Sequence, residues 1–443
     1  MKIAIVGGGI SGLATAFYIK KERPDTEIVI YEKEPSLGGK MMTKEVDGFL
    51  FEEGSNGFLS NKPDTLELVK ESGSEELLMR SSDDARVRFI YKDALHQLPE
   101  SPGAFLKTPL LSALGKLRVA GEIFIPAKKD DSDETLQSFG YRRVGREMTD
   151  AFLDPMVAGI FASSPDKISV NAAFPAVVKL EKEYGGLFKG MLKKKKKDAG
   201  PGGVLMSFKG GVSSFIDSLA NSLDIEIKKS CSVESIEKKD DKYALHVEGK
   251  SEEFDIVILS TPAYESAKIV KQIDSELSKM LDDIEYSPIS VVGLGYNELS
   301  HQLKGFGLLA TSSAKKDVLG VLWDSSIFKD RAPKGKKALR VMIGGQRSPD
   351  LALKDEEELK NLAIKGVKET MGIDELPDIS YVKRWKKGIP NYRVGHLKRV
   401  EELFGRLKEH KGLYLSSNAY FGVGLNDCVG NSKRVAGKII EDM

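Results

Sequence analysis

Apolar positions change period several times along the chain, and each change predicts an element. Lys2 to Val6 (KIAIV) is a short apolar run with β-branched residues, closed by glycine, and predicts a buried strand. Glu27 to Tyr31 (EIVIY) repeats the pattern, and Leu13 to Lys21 between them is rich in helix formers. Pro63 to Glu71 has a proline start and apolar residues at helical spacing, so it predicts a helix. From Ala85 to Pro99 the period drops to two: Val87, Phe89 and Tyr91 alternate, Lys92-Asp93 turns, and Leu95 to Leu98 returns as a hairpin. That alternation puts Arg88 on the face opposite its apolar neighbours, where a solvated arginine is the plain reading.

Ser101 to Leu192 is different in character, with helical patches over Leu110 to Phe124 and Thr135 to Leu153 and few strand signals. Strands return after Ser207. A helix from Val212 to about Ser222 precedes strand candidates at Glu226–Ile236, Tyr243–Val247 and Phe254–Ser260. Ser290–Tyr296, Gly305–Ala310, Val318–Trp323 and Ala338–Ile343 then predict an antiparallel or mixed sheet. A helix over Glu356–Met371, a strand over Ile379–Trp385, a strand near Gly412–Ser417 and a helix over Leu425–Glu441 complete an α/β (α+β) chain without internal repeats.

Composition narrows the class. The 443 residues are 41% hydrophobic and 30% charged with a formal net charge of +1, enough for two or three domains and no case for nucleic acid as a partner. The longest apolar stretches, such as Ile289 to Leu294, fall short of a spanning helix, and Met1-Lys2 leads straight into the first strand. Two distant cysteines, Cys231 and Cys428, and five scattered histidines give neither a disulfide framework nor metal-ligand spacing. A cytoplasmic protein is expected. Phe105 to Phe124 mixes apolar faces with Lys107, Lys116 and Arg118, and Lys193 to Lys197 is an unbroken lysine run. Both suit peripheral contact with a membrane through 101–197, or equally an ordinary amphipathic helix and a solvated loop.

The first strand runs directly into Gly7-Gly8-Gly9-Ile10-Ser11-Gly12, a G-x-G-x-x-G turn that opens a helix, and Glu32 closes the second strand twenty residues later. Strand, turn, helix and distal acid together predict a Rossmann-like dinucleotide site. Gly7 allows the turn, Gly9 admits a pyrophosphate and Gly12 lets helix and strand close up. Glu32 is placed for ribose hydroxyls. A glycine pair, Gly38-Gly39, with Lys40 follows, and then the E-x-G segment Phe51-Glu52-Glu53-Gly54-Ser55-Asn56-Gly57-Phe58. These two features resemble the amine-oxidase-like flavoproteins, which implies FAD. Lys40 stands where that superfamily usually has arginine, so a cation is kept without a bidentate fork.

More specific motifs follow. Asp154-Pro155-Met156-Val157-Ala158-Gly159-Ile160-Phe161-Ala162, Ser169–Pro175 (SVNAAFP), Ser207–Val212 (SFKGGV), Gly305–Leu309 and Gly320–Ser325 resemble the oxygen-dependent protoporphyrinogen and coproporphyrinogen III oxidases. So do Trp385–His396 (WKKGIPNYRVGH), with Asn391 in place of a common glutamine, and the C-terminal segment Asn418–Cys428. The resemblance spans the chain. It implies substrate contacts at Arg88, Asn56, Phe306, Gly307, Leu309, Leu322 and Met342, with Arg88 pairing a propionate. For FAD it implies Gly7, Gly8, Gly9, Ile10, Ser11, Gly12, Glu32, Lys33, Gly39, Lys40, Gly54, Ser55, Asn56, Gly57, Val233, Trp385, Val423, Gly424 and Leu425. Without the resemblance, Leu309, Leu322 and Met342 read as ordinary core. Ser55 stands where proline is frequent.

The implied organisation is an FAD-binding domain from 1–72, 201–262 and 397–443, a mixed-sheet substrate domain from 73–91 and 263–396, and a helical insertion over 92–200. The implied reaction oxidises protoporphyrinogen IX to protoporphyrin IX in haem biosynthesis, by hydride transfer to the flavin and reoxidation by O2 to H2O2. No histidine base or triad is evident. Coproporphyrinogen III is the alternative substrate, and amine or carotenoid oxidation a more distant one. Homodimerisation and contact with haem-pathway enzymes are further expectations. A nicotinamide reductase would need a second fingerprint, and Gly293-Leu294-Gly295 lacks the third glycine and the helix.

Overall fold

A computed structural model describes residues 1–193 and 203–443; residues 194–197 of the lysine run lie outside them. Its central layer is a five-stranded parallel sheet in the order 226–228, 27–31, 2–6, 256–259, 413–415. Side chains alternate across that sheet. Ile3, Ile5, Ile28 and Ile30 pack under helices Ile10–Glu22, Val212–Asn221 and Leu425–Asp442. Ala4, Val6, Val29 and Tyr31 face the antiparallel strands 233–254 and helices Ala263–Val270, Ser275–Asp282 and His396–Leu407. Both faces are covered, which is why the strands read as continuous apolar runs.

The second layer is a seven-stranded sheet in the order 379–390, 286–296, 337–344, 318–322, 307–310, 89–91, 95–97. All its pairings are antiparallel except 307–310 with 89–91. Helix Glu356–Met371 buries one face through Leu359, Ala363 and Val367. The opposite face carries Leu309, Leu322 and Met342.

Several boundaries differ from the sequence expectation. The helical patch expected over Leu110–Phe124 is present but begins three residues later, as helix Ala113–Ala120 continued by a 3-10 turn to Phe124. Helix Pro102–Lys107 stops before Pro109, Leu110 and Leu111 are buried in a turn, and Ser112 caps a new helix, Ala113–Ala120, by accepting from Gly115 N at 3.0 Å. Glu226–Ile236 is two strands in two sheets, separated by Ser230 at φ +53°. Phe254–Ser260 is likewise split, at Asp255. In the first arm of the hairpin only Phe89–Tyr91 is strand, paired with Leu95–Gln97, so Arg88 lies just outside the alternation that was expected to orient it. Gly293 and Gly295 sit inside a strand. A Cβ on either would meet the ring of Phe51 (2.3 Å) or Phe49 (3.0 Å), so this pair seats two stacked phenylalanines. Among the described residues no helix is long and apolar enough to cross a membrane.

Candidate active site

The glycine turn lies at the carboxyl end of strand 2–6, beside the end of strand 256–259. Gly7 adopts φ +108°, and Gly12 packs so closely that a Cβ there would lie 2.1 Å from Gly7 O. Gly9 differs from both. Its backbone is extended (φ −79°, ψ 176°), and the nearest atom to an added Cβ is Gly38 O at 3.8 Å. Neither conformation nor packing requires glycine at position 9, so a methyl there would occupy only space left for a ligand. Gly38 N donates to Gly8 O (2.9 Å), and the Gly38-Gly39 loop therefore forms the facing wall. Helix Ile10–Glu22 contributes its first N–H groups, which have no partner within the helix, and the positive end of its dipole. A dinucleotide pyrophosphate fits this cradle.

Glu32 is buried with both oxygens engaged: Oε2 accepts from Gly8 N (2.7 Å) and Oε1 from Glu34 N (2.9 Å). It braces the turn while each oxygen keeps a second lone pair for a ribose hydroxyl. Cys231 N donates to Glu32 O (2.8 Å), which brings the start of strand Val233–Lys239 alongside. Lys33 is exposed, and its ammonium lies 3.3 Å from Glu265. The C-terminal helix begins at Leu425, after Val423 and Gly424, and is tied into the site: Asn426 Nδ2 donates to Leu59 O (2.8 Å) and Ser432 Oγ to Ser11 O (3.0 Å).

The segment Glu52–Gly57 crosses the open face of the seven-stranded sheet. Gly54 and Gly57 touch backbone, with added Cβ atoms falling 2.4 Å from Lys40 O and 2.0 Å from Met206 O. Trp385 Nε1 donates to Glu53 O (2.7 Å), and Glu53 carries Lys383 Nζ at 2.7 Å. Four buried charges hold the segment. Glu52 pairs with Arg331 (2.8 Å), and Arg340 reaches Asp324 (3.0 and 3.1 Å) while donating to Glu52 O and Gly54 O. Sequence reasoning missed Arg331, Arg340 and Asp324. The available signal was an arginine inside the apolar run ALRVMIG, since such a charge is seldom buried without a partner. Beside this network, both amide atoms of Asn56 are buried without a hydrogen-bond partner among the described residues. An unsatisfied carboxamide next to the cradle suits a polar ligand edge.

The register assembles the expected substrate residues. Leu309, Gly320 and Met342 form one cross-strand row, and Gly307, Leu322 and Arg340 form the next row on the same face. Leu309 also rests against Gly159 of helix Asp154–Phe161, where a Cβ would lie 3.0 Å from its methyls. Met342 clusters with Ala158, Ala162, Ile289, Trp385 and Ile389, whereas Leu322 and Phe306 join Ala85, Ile327 and Phe328. All four expected apolar contacts, Phe306, Leu309, Leu322 and Met342, are half-buried, as a surface awaiting a ring requires. At the rim, Phe306 N donates to Val87 O (2.8 Å), and the exposed Arg88 guanidinium lies 5.0 Å over the Phe306 ring. Arg88 has no carboxylate partner among the described residues.

Two titratable groups deeper in have their proton affinity lowered. His396 is stacked on Tyr392 (4.1 Å between centroids), its Nε2 is 3.2 Å from Tyr420 O, and burial lowers it to about 4. It is a core histidine rather than a proton acceptor. Lys40 extends from the glycine loop to the carbonyl of Gly388, and burial lowers its ammonium to about 8. A separate cavity of about 540 Å³, lined by Asp166, Lys167, Glu285, Gln346, Asn391, Arg393 and Arg399 among others, contains none of the expected substrate residues.

Comparison with known proteins gives the chain's family and fold. The profile of the family described as flavin containing amine oxidoreductase matches residues 10–440. A coproporphyrinogen III oxidase of Bacillus subtilis is 29% identical, the alignment covering 97% of this chain and 96% of that one. A chloroplastic protoporphyrinogen oxidase of Oryza sativa subsp. japonica is also 29% identical, over 98% and 87%. A crystal structure from an Exiguobacterium species, provisionally named a protoporphyrinogen oxidase, superposes with a TM-score of 0.88 at 26% identity, covering 100% and 99%.

Proposed function

The chain belongs to the flavin containing amine oxidoreductase family, and from that membership we propose that it oxidises protoporphyrinogen IX to protoporphyrin IX with O2. Its cofactor is FAD, for which the Gly7–Gly12 turn, the Gly38-Gly39 wall and the start of helix Leu425–Asp442 supply the cradle. The observation that carries the substrate reading is an apolar face, Leu309, Leu322 and Met342, with an arginine over Phe306 at its rim that has no carboxylate partner among the described residues. A large flat ring system with carboxylate arms matches that combination: the leucines and methionine take the ring and Arg88 takes a propionate.

Bound FAD supplies the hydride acceptor, and O2 restores its oxidised form with H2O2 as product. The protein's own part is positional. Arg88 and Phe306 fix the substrate's edge, and Gly307 beside them adopts φ +129° with no room for a Cβ beside Val321 O. The apolar rows exclude water from the reacting methylene. Pyrrole protons pass to solvent, because His396 is buried and paired with Tyr420 O. Three rounds reach the aromatic porphyrin.

Arg88→Ala is expected to lower kcat/KM by about 10- to 100-fold, the loss of one charge-assisted contact, mainly through KM, with Arg88→Lys recovering part. Unchanged constants would remove Arg88 from the substrate site. A second reading, coproporphyrinogen III as substrate, is supported by near-complete coverage of the Bacillus subtilis relative in both directions. Parallel aerobic assays of both porphyrinogens, following porphyrin fluorescence and peroxide, decide between them. FAD-loaded protein that turns over neither would end the porphyrinogen reading.

The proposal extends to peripheral membrane contact through the helical segment. Leu106, Leu114, Leu117, Phe124, Met191 and Leu192 are each 64–85% exposed there. Flotation with vesicles containing anionic lipid should carry the protein at low salt, and Leu114→Glu with Phe124→Glu should abolish it. Equal flotation of wild type and variant would place contact elsewhere.

A further inference from the structure

Arg347 stands at one end of the apolar face and, unlike Arg88 at the rim, has both terminal nitrogens committed. It belongs to the turn that follows strand 337–344, and strand 318–322 lies between that strand and 307–310. Its Nη1 donates to Ala310 O (2.7 Å), at the end of the strand that carries Leu309. Its Nη2 donates to Asp154 O (3.0 Å) and lies 2.8 Å from the Asp154 carboxylate. Asp154 Oδ1 also accepts from Ser312 Oγ and Oδ2 from Ser312 N, each at 2.7 Å. The two side chains are 13% and 8% exposed. One guanidinium thus ties the strands of Leu309 and Met342 to each other and to the first residue of helix Asp154–Phe161.

That helix walls the face from the side. Gly159 meets the methyls of Leu309, and Ala158 and Ala162 cluster with Leu319 and Met342. Its far end is fastened as well: Gln346 N donates to Ala162 O (2.7 Å), and a Cβ on Gly345 would lie 2.5 Å from the same oxygen. Neither end is an ordinary helix terminus. The chain enters through a π-helical turn, Thr149–Leu153, and leaves through Ala162 at φ +47° and ψ +39°, a left-handed conformation that a Cβ disfavours. A buried ion pair adds little stability over well-packed apolar groups, and what it can supply is one fixed arrangement. We propose that Asp154 and Arg347 are positioning residues: their bridge sets the spacing between helix Asp154–Phe161 and the Leu309–Met342 row, and with it the place where the substrate ring rests. The inference rests on the reading of that face as the substrate wall.

Two variants test it. Arg347→Lys keeps the charge but cannot reach Ala310 O and Asp154 together, and Asp154→Leu with Arg347→Met replaces the pair by apolar groups of similar size. Steady-state rates are measured per bound flavin with the porphyrinogen that the wild type oxidises. Both variants are expected to fold with their flavin and to lose about tenfold in kcat, with KM changed by less than about threefold, because the ring still binds but no longer rests in one place. Wild-type kcat in either variant would overturn the proposal: in Arg347→Lys it would mean that charge compensation suffices, in the double variant that packing does. Failure of both to fold would assign the pair to stability alone and overturn it too. Leu309→Ala separates this outcome from the substrate reading. Unchanged constants there, or a wild type that oxidises no porphyrinogen, would remove the face from the substrate site and the proposal with it. A defect in Leu309→Ala beside wild-type rates in the pair variants would sink the positioning role alone.

Discussion

Gly12→Ala should yield protein that is both destabilised and colourless, whereas Gly9→Ala should yield folded protein that has lost most of its flavin. The two glycines belong to one motif, yet the structure separates their tasks. A methyl on Gly12 would lie 2.1 Å from Gly7 O and 3.3 Å from Ile5 Cγ2, against backbone and a buried strand side chain that cannot swing away. Helix Ile10–Glu22 must then shift off strand 2–6 at a cost of about 3 kcal/mol, in the range of core overpacking. The shift also carries the helix N-terminus away from the turn. At Gly9 the backbone angles are ordinary for any residue and the nearest atom is 3.8 Å away. The apo fold should therefore keep its urea midpoint while each lost N–H contact to phosphate weakens FAD by tenfold or more. Flavin absorbance per protein, read beside the denaturation midpoint, separates the two outcomes. If Gly9→Ala bound FAD normally, the cradle would not be where the pyrophosphate sits.

Arg340→Met is expected to lower the stability of the folded protein by about 3–5 kcal/mol, the range for removing one partner of a buried ion pair. Arg340 and Asp324 are both almost fully buried, and burial already raises the Asp324 carboxyl. Without the guanidinium, Asp324 must stay protonated to remain inside. Its folded-state pKa would then lie well above its unfolded value, so stability is retained at low pH and lost as pH rises through the folded pKa. The deficit measured by denaturation should consequently be larger at pH 8 than at pH 5. The same substitution frees the carbonyls of Glu52 and Gly54, which Arg340 holds at 3.1 and 3.3 Å, so flavin retention should fall as well. A deficit under about 1 kcal/mol, independent of pH, would show that the pair is solvated in solution.

The sequence carried the cofactor half of this site because its signals are local. A strand, a three-glycine turn, a helix and Glu32 lie within residues 2–32, and each residue's task follows from backbone sterics and helix-end chemistry. Strand and helix positions were legible for the same reason wherever the period ran unbroken, as at Pro63–Glu71 and Glu356–Met371. Short irregularities were not. Ser112 as a cap, Ser230 at positive φ and the division at Asp255 each turn on one residue whose effect depends on what packs around it.

The substrate half was readable only through family resemblance. Leu309, Leu322 and Met342 have the composition of any core strand, and it is the register across three strands that puts them on one face. Of the buried charges only Arg340, inside ALRVMIG, carried a local signal; Arg331 and Asp324 did not, for a pairing with partners hundreds of positions from Glu52 exists only after the sheets have closed. Sequence by itself determined the local elements, the dinucleotide turn and the family. Tertiary structure alone decided which glycines serve packing and which leave room for a ligand, that Glu32 braces the turn it was expected only to serve, and that Arg340 and Asp324 meet as a buried pair. Periodicity and turn chemistry act over a few residues, while burial, charge compensation and the shape of a slot are properties of surfaces brought together from distant parts of the chain.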